Sequence, residues 1–143
     1  MKYQNIQHYS ECQLVTLFNV LRYFGYNKVP ELGTKEYEKM CLKYHCISGS
    51  CLNMVEAYDK YRLKKETGTW NFNWISENIP IELSVSTKRQ GIHSILLIKC
   101  KDDKFLVTNY AKRKVQWLRF SQLENMKIKN IHFLPKAIKL DLK

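Results

Sequence analysis

The stretch "YSECQLVTLFNVLRYFG", residues 9–25, decides how the rest of the chain is interpreted. Between residues 11 and 24 it carries apolar side chains on nearly every face, and a helix of that kind is normally buried between two layers. Ser10 has the side chain of an N-cap, which places Cys12 in the first turn, and Gly25 suits the position after the C-cap. The segment therefore predicts a buried helix with a thiol at its amino end.

The chain changes character near residue 79. Before that point, two further helices are predicted over 35–46 and 51–63, separated by the turn residues "SGS". After it, "IPIELSVS" alternates as a strand does, and "IHSILLIKC" is a continuous apolar run that predicts a central strand buried on both faces. Short strands follow at "FLVTNY", "VQWLRF" and "NIHFL", with one helical turn at "SQLENM". We predict an α+β fold in one domain, 1–143, with helices over about 1–65 and an antiparallel sheet over about 66–143.

Composition limits the class of protein. The apolar share of 45% and the charged share of 26% are typical of a soluble globular protein. No apolar run approaches the roughly 20 residues of a membrane span, and the amino end has no signal-peptide pattern, so we expect a cytoplasmic protein. Five cysteines are an odd number, which favours free thiols over a disulfide framework.

The net charge of +11 favours an acidic substrate or partner, and it also suits nucleic acid. Aromatic residues interleaved with lysines are typical of surfaces that stack single-stranded bases. Most of these aromatics fall on apolar periodic positions, however, so a nucleic-acid-binding module is the weaker alternative. Trp70, Phe72 and Trp74 either line a cleft or cover the sheet, and the sequence leaves both readings open.

Three polar residues occupy positions suited to chemistry. Cys12 lies at a helix start, His93 follows Gly91 at the start of a buried strand, and Asn109 ends the next strand. Because one tight hairpin joins those two strands, His93 and Asn109 can be neighbours across the ladder. In such a trio the thiolate attacks a carbonyl, the imidazole carries the proton, and the side-chain amide orients the ring. Taken singly, each residue also has an ordinary structural explanation, as core filler, buried histidine or turn residue.

The order and spacing of "SECQLVTLFNVLRYFG", "NIPIELSVS", "GIHSILLIKCKDDKFLVTNY" and "VQWLRFSQLENM" resemble papain-like cysteine peptidases. The resemblance is nearest to the C39 and C39-like, bacteriocin-processing group and covers roughly residues 3–135. It implies a nucleophile at Cys12, a catalytic His93 and Asn109 as third member, and it assigns the oxyanion-binding glutamine to Gln7, one place closer to the cysteine than in the family.

The chain departs from that family at several positions. Gln13 stands where a glycine usually follows the cysteine, and Ser94 stands where an aromatic residue usually follows the histidine. Asn109 is the papain-type choice, whereas the C39 group uses aspartate. The resemblance implies a thiol hydrolase that cleaves a peptide or isopeptide bond, with acyl transfer to an amine as a variant. A catalytically inactive papain-like domain that binds a peptide or protein is the alternative.

A second group of sulfur and imidazole side chains lies in the first half of the chain, at Cys41, His45, Cys46 and Cys51. Structural zinc sites prefer two pairs of ligands, each pair two to four residues apart, and this spacing differs. We interpret the group as helix packing and capping, and we predict no metal and no cofactor. Cys100, at the end of the central strand, is expected to be inert.

Overall fold

The computed structural model describes residues 12–26, 29–31, 33–43, 46–47, 50–51, 63, 66–87, 91–111 and 114–133. In chain order these residues form α1 (Cys12–Tyr23), α2 (Lys35–Lys43), β1 (Cys46–Ile47), β2 (Ser50–Cys51), β3 (Glu66–Thr67), α3 (Phe72–Glu77), β4 (Ile81–Thr87), β5 (Gly91–Lys101), β6 (Lys104–Ala111), β7 (Lys114–Arg119), α4 (Phe120–Glu124) and β8 (Lys127–Phe133). Within these ranges, no helix is long and apolar enough to cross a bilayer.

The main sheet is antiparallel and six-stranded, in the order β3-β8-β4-β5-β6-β7. Strands β4 to β7 form the predicted meander, and the hairpin turn between β5 and β6 holds Asp102 at a φ of 56°. Strand β8 then returns to pair with the free side of β4. The α+β class with an antiparallel sheet is therefore as predicted.

The strict order of helices first and sheet second is not what the structure has. The helix predicted over 35–46 ends at Lys43, and Cys46 and Ile47 pair with Cys51 and Ser50 in a two-stranded sheet. Ser50, the last residue of "SGS", thus lies in a strand rather than between two helices, and residues 48 and 49 lie outside the described residues. The rest of the helix predicted over 51–63 lies outside the described residues, apart from a buried Leu63. Helix α3 also falls inside the half predicted as sheet.

Residues 14–22 of helix α1 are all buried, as its all-round apolar surface predicts. One side packs on β5 and β6, and the other meets α2, where the rings of Phe18 and Tyr37 lie 6.0 Å apart. The helix ends as predicted at Gly25, whose φ is 81°. The N–H of Gly25 donates to the carbonyl of Arg22 (3.0 Å) and that of Tyr26 to the carbonyl of Leu21 (2.9 Å), which is the Schellman pattern.

Strand β5 separates two cores, which confirms that it is buried on both faces. Leu96 and Ile98 pack with α1, whereas Ile95 and Leu97 pack in the second core on the opposite face of the sheet. The alternation follows from the pleat, which sends successive side chains to opposite faces.

The aromatic residues before β4 cover the sheet. The ring of Phe72 lies edge-on to Phe105 at 5.6 Å, and Trp74 lies edge-on to Phe133 at 5.0 Å. Trp70 stacks on Phe120 with ring centroids 4.9 Å apart. Of the two readings that the sequence leaves open, these contacts favour packing against the second core.

Candidate active site

His93 lies near the start of β5, opposite Val85 of β4, and is 2% exposed. Burial lowers the pKa of the imidazole below its usual 6.5, and a hydrogen bond to the main chain of Asn109 opposes only part of that shift. The ring is therefore neutral near pH 7, which is the form that can accept a proton.

The hydrogen bond from His93 fixes which ring nitrogen carries the proton. Nε2 lies 2.5 Å from the main-chain oxygen of Asn109. A carbonyl oxygen only accepts, so Nε2 must donate, and in the neutral ring Nδ1 is then the basic nitrogen. The contact holds the ring in one tautomer and one orientation.

Asn109 provides this contact through an unusual main-chain conformation. Its φ is 67°, in the left-handed region that asparagine tolerates better than most residues. The residue lies in an irregularity of β6, where the register with β7 shifts between Val107 and Ala111. The sequence predicted that the side-chain amide of Asn109 would hold the imidazole. In the structure the main-chain oxygen contacts the ring, and Nδ2 of the amide donates to the carbonyl of Ser94 at 3.0 Å.

The site lies where β5 and β6 cease to pair directly. Their register runs from Lys101 opposite Lys104 up to Leu96 opposite Thr108. Beyond that point, Asn109 connects the strands through its carbonyl on His93 and its amide on Ser94. The imidazole thus lies beyond the last directly paired residues of the two strands.

Cys12 is the first residue of α1, as the sequence predicted for the amino end of this helix. Thr16, one turn later, has its Oγ1 3.4 Å from the carbonyl of Ser94, and Tyr23 at the other end lines a surface cavity together with Lys101. Helix α1 and strand β5 therefore run in the same direction. The main chain of Cys12 lies about 6 Å before Thr16 along the helix, toward the end of β5 that carries His93.

The other predicted oxyanion and thiol groups are only partly described. The side chains of Cys12 and Gln13, and the whole of Gln7, lie outside the described residues. Cys100 is a half-buried free thiol, and burial, followed by the nearby Asp102 carboxylate, raises the pKa of that thiol. A raised pKa keeps the sulfur protonated and unreactive, in line with the expectation from sequence.

The sulfur and imidazole group in the first half of the chain is divided between several elements. Cys41 lies in α2, and Cys46 pairs with Cys51 across the small sheet, but the side chains of this group and all of His45 lie outside the described residues. Among the side chains that the structure does describe, none form a cluster that could hold a metal ion.

The polar contacts behind the site could not be singled out from the sequence. Glu82 of β4 is 5% exposed, and its Oε2 accepts a hydrogen bond from Oγ of Ser94 at 2.8 Å. Alternation along "IPIELSVS" marks Glu82 as part of a polar, solvent-facing side. The one indication in the sequence that this face of the sheet is buried was α1 itself. A helix that is apolar all round needs a layer on each side, and this face of the sheet is one of the two layers.

Comparison with known proteins supports the fold. No protein-family model and no curated protein sequence matches the chain. Its structure is similar to that of the peptidase domain of Streptococcus mutans ComA, solved in complex with a small-molecule inhibitor. The TM-score is 0.58 and the identity 13%, and the match covers 94% of this chain and 99% of that domain. At this level of identity the likeness concerns the fold.

Proposed function

We propose that this protein is a papain-like thiol hydrolase, a peptidase that cleaves a peptide or isopeptide bond. The observation that carries the proposal is the buried, neutral His93, held by the main-chain oxygen of Asn109 at the end of β5 toward which the first turn of α1 extends. The likeness of the fold to a peptidase domain supports it.

In the proposed reaction, Nδ1 of His93 accepts the proton of the Cys12 thiol, and the sulfur attacks the carbonyl carbon of the substrate. The carbon–nitrogen bond breaks as the imidazolium returns the proton to the leaving amine. Water, again deprotonated by His93, then hydrolyses the thioester and regenerates the thiol. The main-chain N–H of Cys12 and the side chain of Gln7 stabilise the oxyanion.

The start of a helix suits Cys12 for this role. The main-chain N–H groups of the first turn have no partner within the helix, and the helix dipole adds about half a positive charge there. Both effects favour a thiolate, as well as the negative oxygen of a tetrahedral intermediate. The neutral His93 provides a base, so the pair acts by general base catalysis.

The net charge of +11 bears on the substrate. A strongly basic protein raises the local concentration of acidic peptides by long-range attraction, and salt screens that attraction. We therefore propose an acidic peptide or protein as the substrate, and expect kcat/KM on acidic peptides to fall as the salt concentration rises while kcat/KM on neutral peptides stays nearly constant.

Selective alkylation tests the proposed nucleophile. Iodoacetamide at a pH of about 6, followed by peptide mapping, should label Cys12 well ahead of the other cysteines, because a thiolate reacts and a thiol does not. Cys100 is the reference, since its pKa is raised by burial and by Asp102. Cys12→Ser should abolish both the fast labelling and peptide cleavage, whereas the matched variant Cys100→Ser should retain both.

Replacement of the base completes the test. His93→Ala should slow the labelling of Cys12 and leave that of Cys100 unchanged. Slow, uniform labelling of all thiols in the folded wild-type protein would contradict the proposal and favour an inactive domain that binds a peptide or protein. Transfer to an added amine in place of water would identify an acyltransferase with the same residues.

A further inference from the structure

A small polar cluster is buried where α1 meets the sheet, directly beside His93. It consists of Thr16 on α1, Ser94 on β5 and Glu82 on β4, which are 0%, 2% and 5% exposed. The surrounding contacts between α1 and β5 are made by apolar side chains such as Leu14, Leu17 and Leu96. Polar groups in such surroundings lower stability unless they are hydrogen-bonded, so their arrangement is specific.

Ser94 connects the members of the cluster. Its Oγ lies 2.8 Å from Oε2 of Glu82 and 3.1 Å from Oγ1 of Thr16. The Ser94 hydroxyl donates its single proton to Oε2 of Glu82. The Thr16 hydroxyl is then left to donate, and two acceptors of Ser94 lie within its reach: Oγ at 3.1 Å and the carbonyl oxygen at 3.4 Å.

The cluster is anchored in the sheet on the side of Glu82. Glu82 pairs with Leu96 of β5 and with His132 of β8, and Nδ1 of His132 lies 3.3 Å from Oε1 of the carboxylate. Both carboxylate oxygens therefore have a hydrogen-bonding neighbour. Glu82 is fixed across three strands and presents a rigid acceptor to Ser94.

Ser94 also shares its main chain with the site. It follows His93 directly, and its carbonyl accepts from Nδ2 of Asn109 as well as from Thr16. The same residue thus contacts the third member of the proposed triad and the helix that begins at Cys12. A movement of α1 relative to Ser94 would change the distance between Cys12 and His93, because four residues of rigid helix join Cys12 to Thr16.

We infer that Thr16, Ser94 and Glu82 are positioning residues, which set the placement of α1 along β5 and so align Cys12 with His93. The inference rests on the proposed function. Apolar contacts alone allow a helix to slide on a sheet, since they have little directional preference, whereas hydrogen bonds near 3 Å fix one placement. A misplacement of about 1 Å in a reacting group can lower the rate by about a hundredfold.

Two substitutions at Thr16 distinguish a role in positioning α1 from a role in filling space. Thr16→Val keeps the shape and removes the hydroxyl, whereas Thr16→Ser removes a methyl group and keeps the hydroxyl. We expect Thr16→Val to slow the iodoacetamide labelling of Cys12 by roughly ten- to a hundredfold, with Thr16→Ser close to wild type and Cys100 labelled equally fast in all three proteins. If Thr16 only fills space, the order of the two labelling rates is reversed, and Cys12 in the Thr16→Val variant is labelled as fast as in wild type.

A double-mutant cycle tests the contact itself. Thr16→Val, Ser94→Ala and the double variant are compared by unfolding in denaturant, a measurement that needs no activity. We expect the two losses to be non-additive, because either change breaks the same hydrogen bond. Additive losses would overturn the inference.

The two proposals fail in different ways. Slow labelling of Cys12 in the folded wild-type protein would remove the proposed function and with it the positioning role. Fast labelling of wild-type Cys12 that Thr16→Val leaves unchanged, in a variant that is still folded, would overturn the positioning role alone.

Discussion

Substitutions at Asn109 separate the contribution of its main chain from that of its side chain. In Asn109→Ala a residue with a Cβ keeps a φ of 67°, which costs roughly 1–2 kcal/mol, and the hydrogen bond from Nδ2 to Ser94 is lost. Such a bond contributes about 1 kcal/mol to the free energy of unfolding. The expected loss is therefore roughly 2–3 kcal/mol for Asn109→Ala, but only about 1 kcal/mol for Asn109→Gly, since glycine adopts positive φ without steric strain.

The same pair predicts a difference in the reactivity of Cys12. His93 is held by the main-chain oxygen of residue 109, and Asn109→Gly preserves the conformation that aims this oxygen. We expect iodoacetamide to label Cys12 in the Asn109→Gly variant at nearly the wild-type rate. In Asn109→Ala the chain can relieve its strain by moving the carbonyl, and a change of about 1.4 kcal/mol at the imidazole corresponds to a tenfold slower rate. Unfolding in denaturant gives the free energies, and peptide mapping after alkylation gives the rates.

An equal loss of Cys12 reactivity in both variants, with different free energies of unfolding, would contradict this explanation. The side chain, and not the main chain, would then orient His93. Asn109→Asp is the control for the amide. In this variant a carboxylate oxygen replaces Nδ2 opposite the Ser94 carbonyl oxygen, so two acceptors face each other. We therefore expect the variant to be less stable than wild type.

Three further predictions concern stability. Because burial lowers the pKa of His93 below 6.5, the unfolded chain binds more protons than the folded protein as the pH falls through this value. The free energy of unfolding should therefore decrease with falling pH, and it should do so less steeply in His93→Gln than in wild type. Denaturant titrations between pH values of about 5 and 8 measure this difference. Gly25→Ala should cost roughly 1–2 kcal/mol from its φ of 81° alone, because the space around the added Cβ is open, and Gly25→Asn should cost less; equal losses in the two variants would contradict this. In Gly68→Ala the new Cβ would lie 2.3 Å from Cη2 of Trp74, so we expect a loss of about 1–3 kcal/mol that is reduced when the same change is made in a Trp74→Leu background.

The sequence was most informative where a signal is local. The apolar surface of residues 11–24 predicted burial, and residues 14–22 are buried. Gly25 predicted the end of the helix, and it has the left-handed conformation expected there. The apolar run before Cys100 predicted a strand with a core on each face. Each of these features depends on residues within a few positions of one another.

Sequence patterns were misleading where contacts with residues distant in the chain determine a residue's surroundings. The residues "SGS" were predicted to separate two helices, but Ser50 lies in a strand, because it pairs with Ile47 across the small sheet. Alternation like that of β4 ordinarily leaves the polar side in solvent, but here α1 covers that side of the sheet, and the carboxylate of Glu82 is buried against Ser94.

For the candidate site, the residue types, their order and the elements that carry them could be predicted from the sequence: a thiol at a helix start, a histidine in a central strand and an asparagine one hairpin later. This was possible because side-chain periodicity and turn residues are read along the chain. Two features became visible in the folded protein alone: the main-chain oxygen of Asn109 contacts the ring of His93, and Thr16 and Glu82 meet at Ser94. These contacts depend on the left-handed conformation of Asn109 within β6 and on the packing of α1 against the sheet. Both bring together groups that are far apart in the sequence, and the number of residues between two groups does not indicate how close they lie in the folded protein.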